Sequence, residues 1–229
     1  MSGVLEGLYR SLAPDAAVLD VGCFGFRQVA LAQRLGLSGL RHAGVDYNSY
    51  DEVPPNFEFR RADLSRERIP FEDDRFDLVV ASHVIEHLPR GGEFVGECLR
   101  ICRPGGVVYV EAPSERSLLL PGMPFAHDGF YSLSFFDDPT HVGRPWSPQA
   151  LYRLARYYGC EPETVGHLTS RRARLLLPFT LLWSLVARRP EMLQQNCWAA
   201  LGWASYAVIR KPASLHGTPA FHYYVPPRA

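Results

Sequence analysis

The 229-residue chain lacks an excess of charge of either sign, a CxxC pair and a long apolar run. Its 24 basic residues are balanced by 24 acidic residues. This balance argues against a general nucleic-acid binder, because that class usually carries a basic excess. The five cysteines are irregularly spaced, so we expect no structural zinc knuckle and favour reduced thiols in a cytoplasm. The segment 1–12 has no basic start followed by an apolar run, so it does not indicate a signal peptide.

The most apolar stretch, 175–187, is shorter than the about 20 residues that a membrane-spanning helix needs. Pro178 interrupts it, and arginines stand on both sides. Two interpretations stay open. The first is a helix that is buried or contacts a second subunit, as in a homodimer. The second is a helix over 173–189 that lies on a membrane surface and makes the protein peripheral to the membrane.

Short apolar segments alternate with helical patterns through the first half of the chain. Strands are predicted over 16–21, 42–46, 57–62, 75–82 and 107–112. Helices are predicted over 2–12, 27–35 and 93–103. The second half adds a helix over 147–158, a strand over 163–168, a helical insert over 171–200 and a last strand over 204–210. The alternation predicts an α/β fold with a doubly wound, mostly parallel sheet.

A single domain is predicted over residues 1–229, with one long loop and a tail. The loop 113–146 is rich in proline, glycine and aromatic residues, and a loop of this length is usually functional, often a substrate wall. Its aromatic side chains form either an acceptor pocket or ordinary packing: Phe125, Phe130, Tyr131, Phe135, Phe136 and Trp146. The proline-rich tail 212–229 is expected to wrap the surface.

Five motifs follow one another at the predicted strand ends. They are VLDVGC (18–23), GVDYN (44–48), RADL (61–64), FDLVVASHVIEHL (76–88) and RPGGVVYVEAP (103–113). Carboxylates and glycines at successive strand ends build a nucleoside pocket along one edge of a parallel sheet. In this order the motifs resemble those of the class I S-adenosylmethionine-dependent methyltransferases. The resemblance covers 16–112 and resumes at 146–159 and 204–212.

This resemblance implies a Rossmann-like seven-stranded sheet with an antiparallel last strand, and S-adenosylmethionine as the cofactor. It also implies site residues. Asp20 and Gly22, with Cys23, are expected to shape the turn against the methionine part of the cofactor. Asp46, followed by Tyr47, is expected to accept hydrogen bonds from the ribose hydroxyls.

The resemblance assigns the rest of the cofactor site to the next two strand ends. Asp63 is expected to bond the adenine amino group, with Ala62 and Leu64 beside the ring. Ser82 and His83 are expected to line the cofactor near the methyl donor.

The turn after the first strand departs from the family pattern, which is usually rich in glycine. Phe24 and Phe26 stand where two glycines are expected. Bulky rings there would crowd the carboxypropyl chain of the cofactor unless they point away. A noncatalytic protein that keeps the fold is therefore one alternative.

Two other site types are considered and set aside. A dinucleotide site needs GxGxxG, and the glycines at 22 and 25 do not have that spacing. The segment HVIEH (83–87) has the HxxEH pattern of a zinc protease. That pattern needs a continuous helix, whereas here it follows a strand directly.

A metal is an open alternative at the same corner. Some members of the family that this chain resembles, including quinone-precursor O-methyltransferases, hold a divalent ion there with carboxylate and histidine ligands. Here the ligands would be Glu86, His87 and His141, joined by His83. The preferred interpretation is that Glu86 bonds locally, His87 packs at the sheet edge and no metal is bound.

His141 is the first candidate for a general base and His83 the second, because a hydroxyl nucleophile must lose a proton. Substrate contacts are predicted for Glu86, His87, His127 and Trp146. DPTHV (138–142), followed by WSP, resembles a segment common in members associated with sugar, polysaccharide or natural-product methylation. The predicted reaction is O-methylation of a small-molecule or glycan hydroxyl. A peripheral membrane enzyme with a lipid-linked acceptor is the second alternative.

Overall fold

The computed structural model describes residues 3–125 and 131–213, and these contain one seven-stranded sheet. The strands are β1 (Ala17–Val21), β2 (Arg41–Asp46), β3 (Glu58–Arg61), β4 (Phe76–Ser82), β5 (Cys102–Pro113), β6 (Pro162–His167) and β7 (Ala204–Arg210). Their order across the sheet is β3-β2-β1-β4-β5-β7-β6. Neighbours among β1 to β5 are parallel, whereas β7 is antiparallel to both β5 and β6. The predicted α/β fold class is confirmed, including the antiparallel last strand.

Six α-helices accompany the sheet in the described ranges. They are α1 (Gly3–Arg10), α2 (Arg27–Arg34), α3 (Gly91–Ile101), α4 (Pro148–Tyr157), α5 (Arg171–Val186) and α6 (Pro190–Leu201). The Ser147 hydroxyl accepts a hydrogen bond from the Ala150 N–H and caps α4. Helix α3 ends two residues before the predicted limit, and the chain enters β5 directly. The Pro104–Gly106 turn therefore lies within β5, where the pairing with β4 shifts register.

Strand side chains alternate between two apolar faces, as expected for a sheet covered on both sides. Val18 and Leu78 belong to the cluster that packs against α1 and α2. Leu19 and Val79 belong to the cluster that packs against α3 and α4. Full burial of each such side chain contributes about 1.5–3 kcal/mol. This packing fixes the carboxyl ends of the strands relative to one another.

Helices α5 and α6 form the insert before β7 and pack against the long loop. Leu177 and Leu181 of α5 contact a small cluster that contains Leu133 of the loop and Leu193 of α6. Ser184 is the one fully buried residue of α5. The interpretation of this segment as a buried helix is therefore wrong, because most of its apolar side chains face outward. Among the helices described, none is long and apolar enough to cross a membrane.

The described parts of the long loop, 113–125 and 131–146, are held by local hydrogen bonds. Ser134 and Asp137 form a reciprocal capping box at a short 3-10 helix. The Asp137 carboxylate also accepts hydrogen bonds from the backbone N–H groups of Met123 and Leu133. His127 and Phe130 lie outside the described residues, as does the tail from 214 onward. All five cysteines are buried free thiols.

Candidate active site

A cleft of about 380 Å³ opens at the carboxyl ends of β1, β4 and β5. In open α/β sheets, ligands bind at this edge. The cleft is lined by Leu5, Asp20, Gly22, Phe24, Arg27, Gln28, Ser82, His83, Glu111 and Trp198. Four of the predicted cofactor residues meet here: Asp20, Gly22, Ser82 and His83. The other predicted site residues lie outside this lining.

The turn after β1 requires glycine at Gly22. Its φ of +74° lies in the left-handed region, and an added Cβ would stand 2.6 Å from the Cγ2 of Val84. The backbone conformation and the contact with Val84 therefore both require glycine here, at a position that lines the cleft.

The two phenylalanines of this turn leave the cleft open. Phe26 packs its ring against Tyr50 and Phe57, with centroids 5.1 Å away in each case. Phe26 is absent from the cleft lining. Phe24 lies at the mouth of the cleft, and 64% of its surface remains exposed.

The Asp20 carboxyl group is buried, and burial makes its ionised form unfavourable. Burial raises its pKa well above the ordinary value, and the nearby Asp46 carboxylate raises it further. Arg27 and the backbone N–H of Gln28 partly oppose this rise. A cationic ligand in the cleft would stabilise the ionised form of Asp20.

The ends of β2 and β3 bring the predicted ribose and adenine residues together. The Asp46 Oδ1 accepts hydrogen bonds from the backbone N and the Nδ2 of Asn48, at 2.8 and 3.0 Å. The Asp46 carbonyl accepts one from the Ala62 N–H at 3.0 Å. Asp63 follows Ala62, and hydrogen bonds from the hydroxyl and the N–H of Ser65 lower the pKa of Asp63. The two carboxylates therefore stand at adjacent strand ends.

The remaining predicted cofactor residues differ in exposure. Leu64 packs against the core, and Tyr47 is exposed with the Arg61 guanidinium 5.7 Å from its ring centroid. Cys23 is buried, and burial raises the pKa of its thiol to about 12. Cys23 is therefore a packing residue of the turn and is not a reactive thiolate.

His83 bridges two carboxylates at the end of β4. Its Nδ1 lies 3.1 Å from Glu86 Oε1, and its Nε2 lies 3.2 Å from Glu111 Oε1. Burial alone lowers the pKa of His83, but the hydrogen bonds to Glu111 and Glu86 outweigh it and raise the pKa to about 10. Both ring nitrogens therefore donate, and His83 is an imidazolium at neutral pH. An imidazolium has no lone pair with which to accept a proton, so this state disfavours His83 as the general base, for which it is the second candidate from the sequence.

Glu111 and Trp198 are cleft residues that the sequence interpretation missed. Glu111 pairs with Ser82 across β4 and β5, and its Oε2 accepts a hydrogen bond from the Tyr109 hydroxyl at 2.5 Å. Burial opposes ionisation of Glu111, but His83 holds its pKa below the ordinary value. Glu111 follows the same rule as the other sites, an acid at a strand end. No comparable signal marks Trp198 in the apolar insert.

A second cluster lies on the other side of Glu86. One ligand atom each from Glu86, His87 and His141 lies within 4.8 Å of the other two. Glu86 is fully buried, and its Oε2 has no hydrogen-bond partner among the described residues. The long loop thus places His141 beside Glu86 and His87.

The two histidines of this cluster are oriented by backbone carbonyls. The His141 Nδ1–H donates to the Phe135 carbonyl at 2.7 Å. The His87 Nδ1–H faces two acceptors of Thr140, the carbonyl at 3.2 Å and the hydroxyl oxygen at 3.0 Å. In a neutral imidazole this arrangement leaves the Nε2 lone pair available to accept a proton or bind a cation.

Trp146 occupies a different place from the one expected of a substrate residue in the same cleft. It is buried beside Gly91 at the start of α3. It lines a separate surface cleft of about 430 Å³, with the Arg144 guanidinium 4.5 Å from its ring centroid.

Comparison with known proteins finds similarity to methyltransferases. Residues 19–110 match the family model Methyltransf_11, described as a methyltransferase domain. A probable S-adenosylmethionine-dependent methyltransferase of Mycolicibacterium smegmatis is 34% identical over 126 residues, which cover 51% of this chain and 46% of that protein. The mitochondrial ubiquinone biosynthesis O-methyltransferase of Mus musculus is 27% identical over 217 residues, which cover 89% of this chain and 52% of that protein.

The chain thus spans about half the length of these two curated relatives. A solved structure of a SAM-dependent methyltransferase from Archaeoglobus fulgidus matches with a TM-score of 0.56 and 22% identity. The match covers 90% of this chain and 92% of that one. At this level of identity the likeness is one of fold.

Proposed function

We propose that the chain is a class I S-adenosylmethionine-dependent methyltransferase that transfers the methyl group of this cofactor to an oxygen of a small-molecule acceptor. The observation that carries the proposal is the open cleft at the carboxyl ends of β1, β4 and β5. Its charged wall adjoins the cluster of Glu86, His87 and His141. Curated relatives named as O-methyltransferases support oxygen as the accepting atom.

In this proposal the cofactor follows the strand ends. Asp20 and Gly22 contact the methionine part of the cofactor. There the cofactor's ammonium group compensates the negative charge of the buried Asp20 carboxylate. Asp46 accepts hydrogen bonds from the ribose hydroxyls. Asp63 bonds the adenine amino group, with Ala62 beside the ring.

The methyl donor then lies near Ser82 and His83. We assign His83 to positioning, because its protonated ring fixes Glu86 on one side and Glu111 on the other. Methyl transfer is an in-line displacement at a sulfonium methyl, so the protein contributes mainly by holding the reacting atoms in line.

His141 is the proposed general base. Its Nδ1–H is held by the Phe135 carbonyl, so the Nε2 takes the proton of the acceptor hydroxyl. A well-placed base contributes about 10²–10⁴-fold to the rate. Glu86 and His87 contact the acceptor beside it.

The same three side chains fit a divalent cation. A buried carboxylate oxygen without a partner and two histidines oriented by carbonyls form a plausible donor set. Glu86, His87 and His141 would hold the ion. When bound, a cation lowers the pKa of a coordinated hydroxyl and orients it. Whether methyl transfer requires a divalent cation is therefore tested together with the reaction.

The noncatalytic alternative predicts a closed cofactor site. The exposed position of Phe24 and the packing of Phe26 against Tyr50 favour an open one. A glycan acceptor and a homodimer stay predictions from the sequence. The five buried free thiols support the predicted cytoplasmic location.

The proposal is tested in two steps. Calorimetry with S-adenosylmethionine measures cofactor binding, and absence of heat at millimolar ligand would favour the noncatalytic alternative. Transfer of a labelled methyl group to a panel of phenols and matched anilines, with Mn²⁺ or with a chelator, then tests the reaction. Label in the phenols supports O-methylation, whereas label confined to the anilines contradicts it.

The matched pair for the base is His141→Ala and His167→Ala. His167 pairs with Glu115 and lies outside the cleft lining. Loss of turnover in the first variant alone supports the assigned base.

A further inference from the structure

Helix α5 carries an apolar face that no described part of the chain covers. One side of the helix packs on α6 and the loop through Leu177 and Leu181. The opposite side presents five large side chains that are 61–77% exposed: Leu175, Phe179, Leu182, Trp183 and Val186. Counted from Leu175, the other four stand four, seven, eight and eleven positions later, which places all five on one helical stripe. An exposed apolar stripe of this kind marks an interaction surface.

The two ends of this stripe are positively charged. Arg171, Arg172 and Arg174 precede it, and Arg188 and Arg189 follow it. All five are exposed, and none forms an ion pair with any residue in 3–125 or 131–213. The segment 171–190 contains no acidic residue. The outer surface of α5 therefore combines exposed apolar side chains with arginines that form no ion pair among the described residues.

These charges select between the two interpretations that the sequence leaves open. If two copies paired through α5, the arginine-rich ends of both helices would meet other arginines, in either a parallel or an antiparallel arrangement. No carboxylate on α5 would compensate this repulsion. A surface with negative charge and an apolar interior meets both requirements, because arginines bind the headgroups while the apolar side chains enter the acyl boundary.

We propose that α5 docks the protein on the surface of an anionic lipid bilayer. The helix lies in the plane of the surface, with Phe179 and Trp183 below the headgroups and the arginines at headgroup level. Trp183 suits this position, since its ring is amphipathic.

The proposal also bears on the acceptor, and this step rests on the proposed function. Helix α5 packs on α6, and Trp198 of α6 lines the cofactor cleft. One helix thus separates the bilayer from the cleft, which suits an acceptor carried by a lipid.

Flotation with vesicles tests the docking without any methyl transfer, so failure of the enzymatic proposal does not affect it. Vesicles of phosphatidylcholine alone are compared with vesicles that also contain phosphatidylglycerol. We expect the protein to float with the anionic vesicles, and 0.5 M salt to weaken binding. Phe179→Ser should weaken binding about tenfold or more, and Arg171→Glu about fivefold or more.

Two matched variants control for exposure and charge elsewhere. Leu119→Ser removes an 84% exposed apolar side chain from the loop. Arg153→Glu reverses an exposed charge on α4. Both should bind like the unchanged protein, and the melting temperature of Phe179→Ser should be unchanged.

Protein that stays in the aqueous fraction with both vesicle types overturns the proposal. So does equal binding of Phe179→Ser and Leu119→Ser. Sedimentation without lipid supplies the third outcome. A monomer agrees with the proposal, whereas a dimer that dissociates in Phe179→Ser assigns the face to a second copy and overturns it.

Discussion

Replacement of His83 by glutamine should remove a pH-dependent part of the folding free energy. The imidazolium of His83 contacts Glu86 and Glu111, and these hydrogen bonds raise its pKa from 6.5 to about 10. A raised pKa stabilises the fold fully below the unfolded-state pKa of 6.5, and the stabilisation is lost as the pH rises through 10. A neutral glutamine makes no such contribution.

The size of the effect follows from the pKa and the exposure of the side chain. The rise to about 10 sets an upper bound of ~5 kcal/mol. The side chain is 32% exposed, so solvent screens the ion pairs and we expect ~2–3 kcal/mol. This size holds below pH 6.5, and part of it is already lost at pH 7.5. His83→Gln should therefore be less stable than the unchanged protein by ~1–2 kcal/mol at pH 7.5, and this difference should nearly vanish by pH 10.5.

Urea unfolding at steps between pH 7.5 and 10.5 measures this difference. His42→Gln is the matched control, because burial lowers the pKa of His42 and its ring is already neutral in this range. Its effect should not vary with pH. A difference for His83→Gln that is constant across the range would refute the assignment of a charged His83. NMR titration of the ring provides a direct check of the midpoint.

Four further outcomes are expected. Asp46→Asn should weaken S-adenosylmethionine binding in calorimetry by about tenfold or more, since a charged hydrogen bond is lost; equal affinity would mean that the ribose site is misplaced. Asp20→Asn should raise the melting temperature at pH 7 without ligand but weaken cofactor binding, because burial makes the ionised carboxyl costly; a lower melting temperature would contradict this. His141→Ala should lower turnover about 10²-fold or more with little change in cofactor affinity, and full activity would remove it from the mechanism. Gly22→Ala should destabilise the protein in urea unfolding by about 1–3 kcal/mol more than Gly25→Ala, which shares a positive φ but has open space around it; equal effects would argue against the contact with Val84.

The sheet and the family could be predicted from the sequence because local signals and global fold agree. Strands buried on both faces have nearly continuous apolar sequences, and β1 and β4 are of this kind apart from Asp20 and Asp77. The acids at 20, 46 and 63 mark strand ends that the parallel topology must bring to one edge. The methyltransferase family model that matches residues 19–110 agrees with the predicted family and, through it, with S-adenosylmethionine as the cofactor. Glu111 is also an acidic residue near the end of a parallel strand, so the same rule predicts it as a site residue.

Other features depend on which segments meet in space. The charge of His83 is set by Glu111, which arrives from another strand. The outward face of α5 could not be deduced from composition, since an apolar helix looks the same whether it is buried or exposed. Trp146 lies in a proline-rich loop that suggested a substrate wall, but a backbone hydrogen bond to the Pro113 carbonyl anchors it beside α3.

The most direct test of the central claim is a crystal structure with S-adenosylhomocysteine. The account predicts ligand density that runs from Gly22 past Asp46 to Asp63, with the sulfur facing Ser82 and His83 and Phe26 still packed against Tyr50. Crystals soaked at millimolar ligand that show an empty cleft, or a Phe24 ring turned into it, would contradict the account.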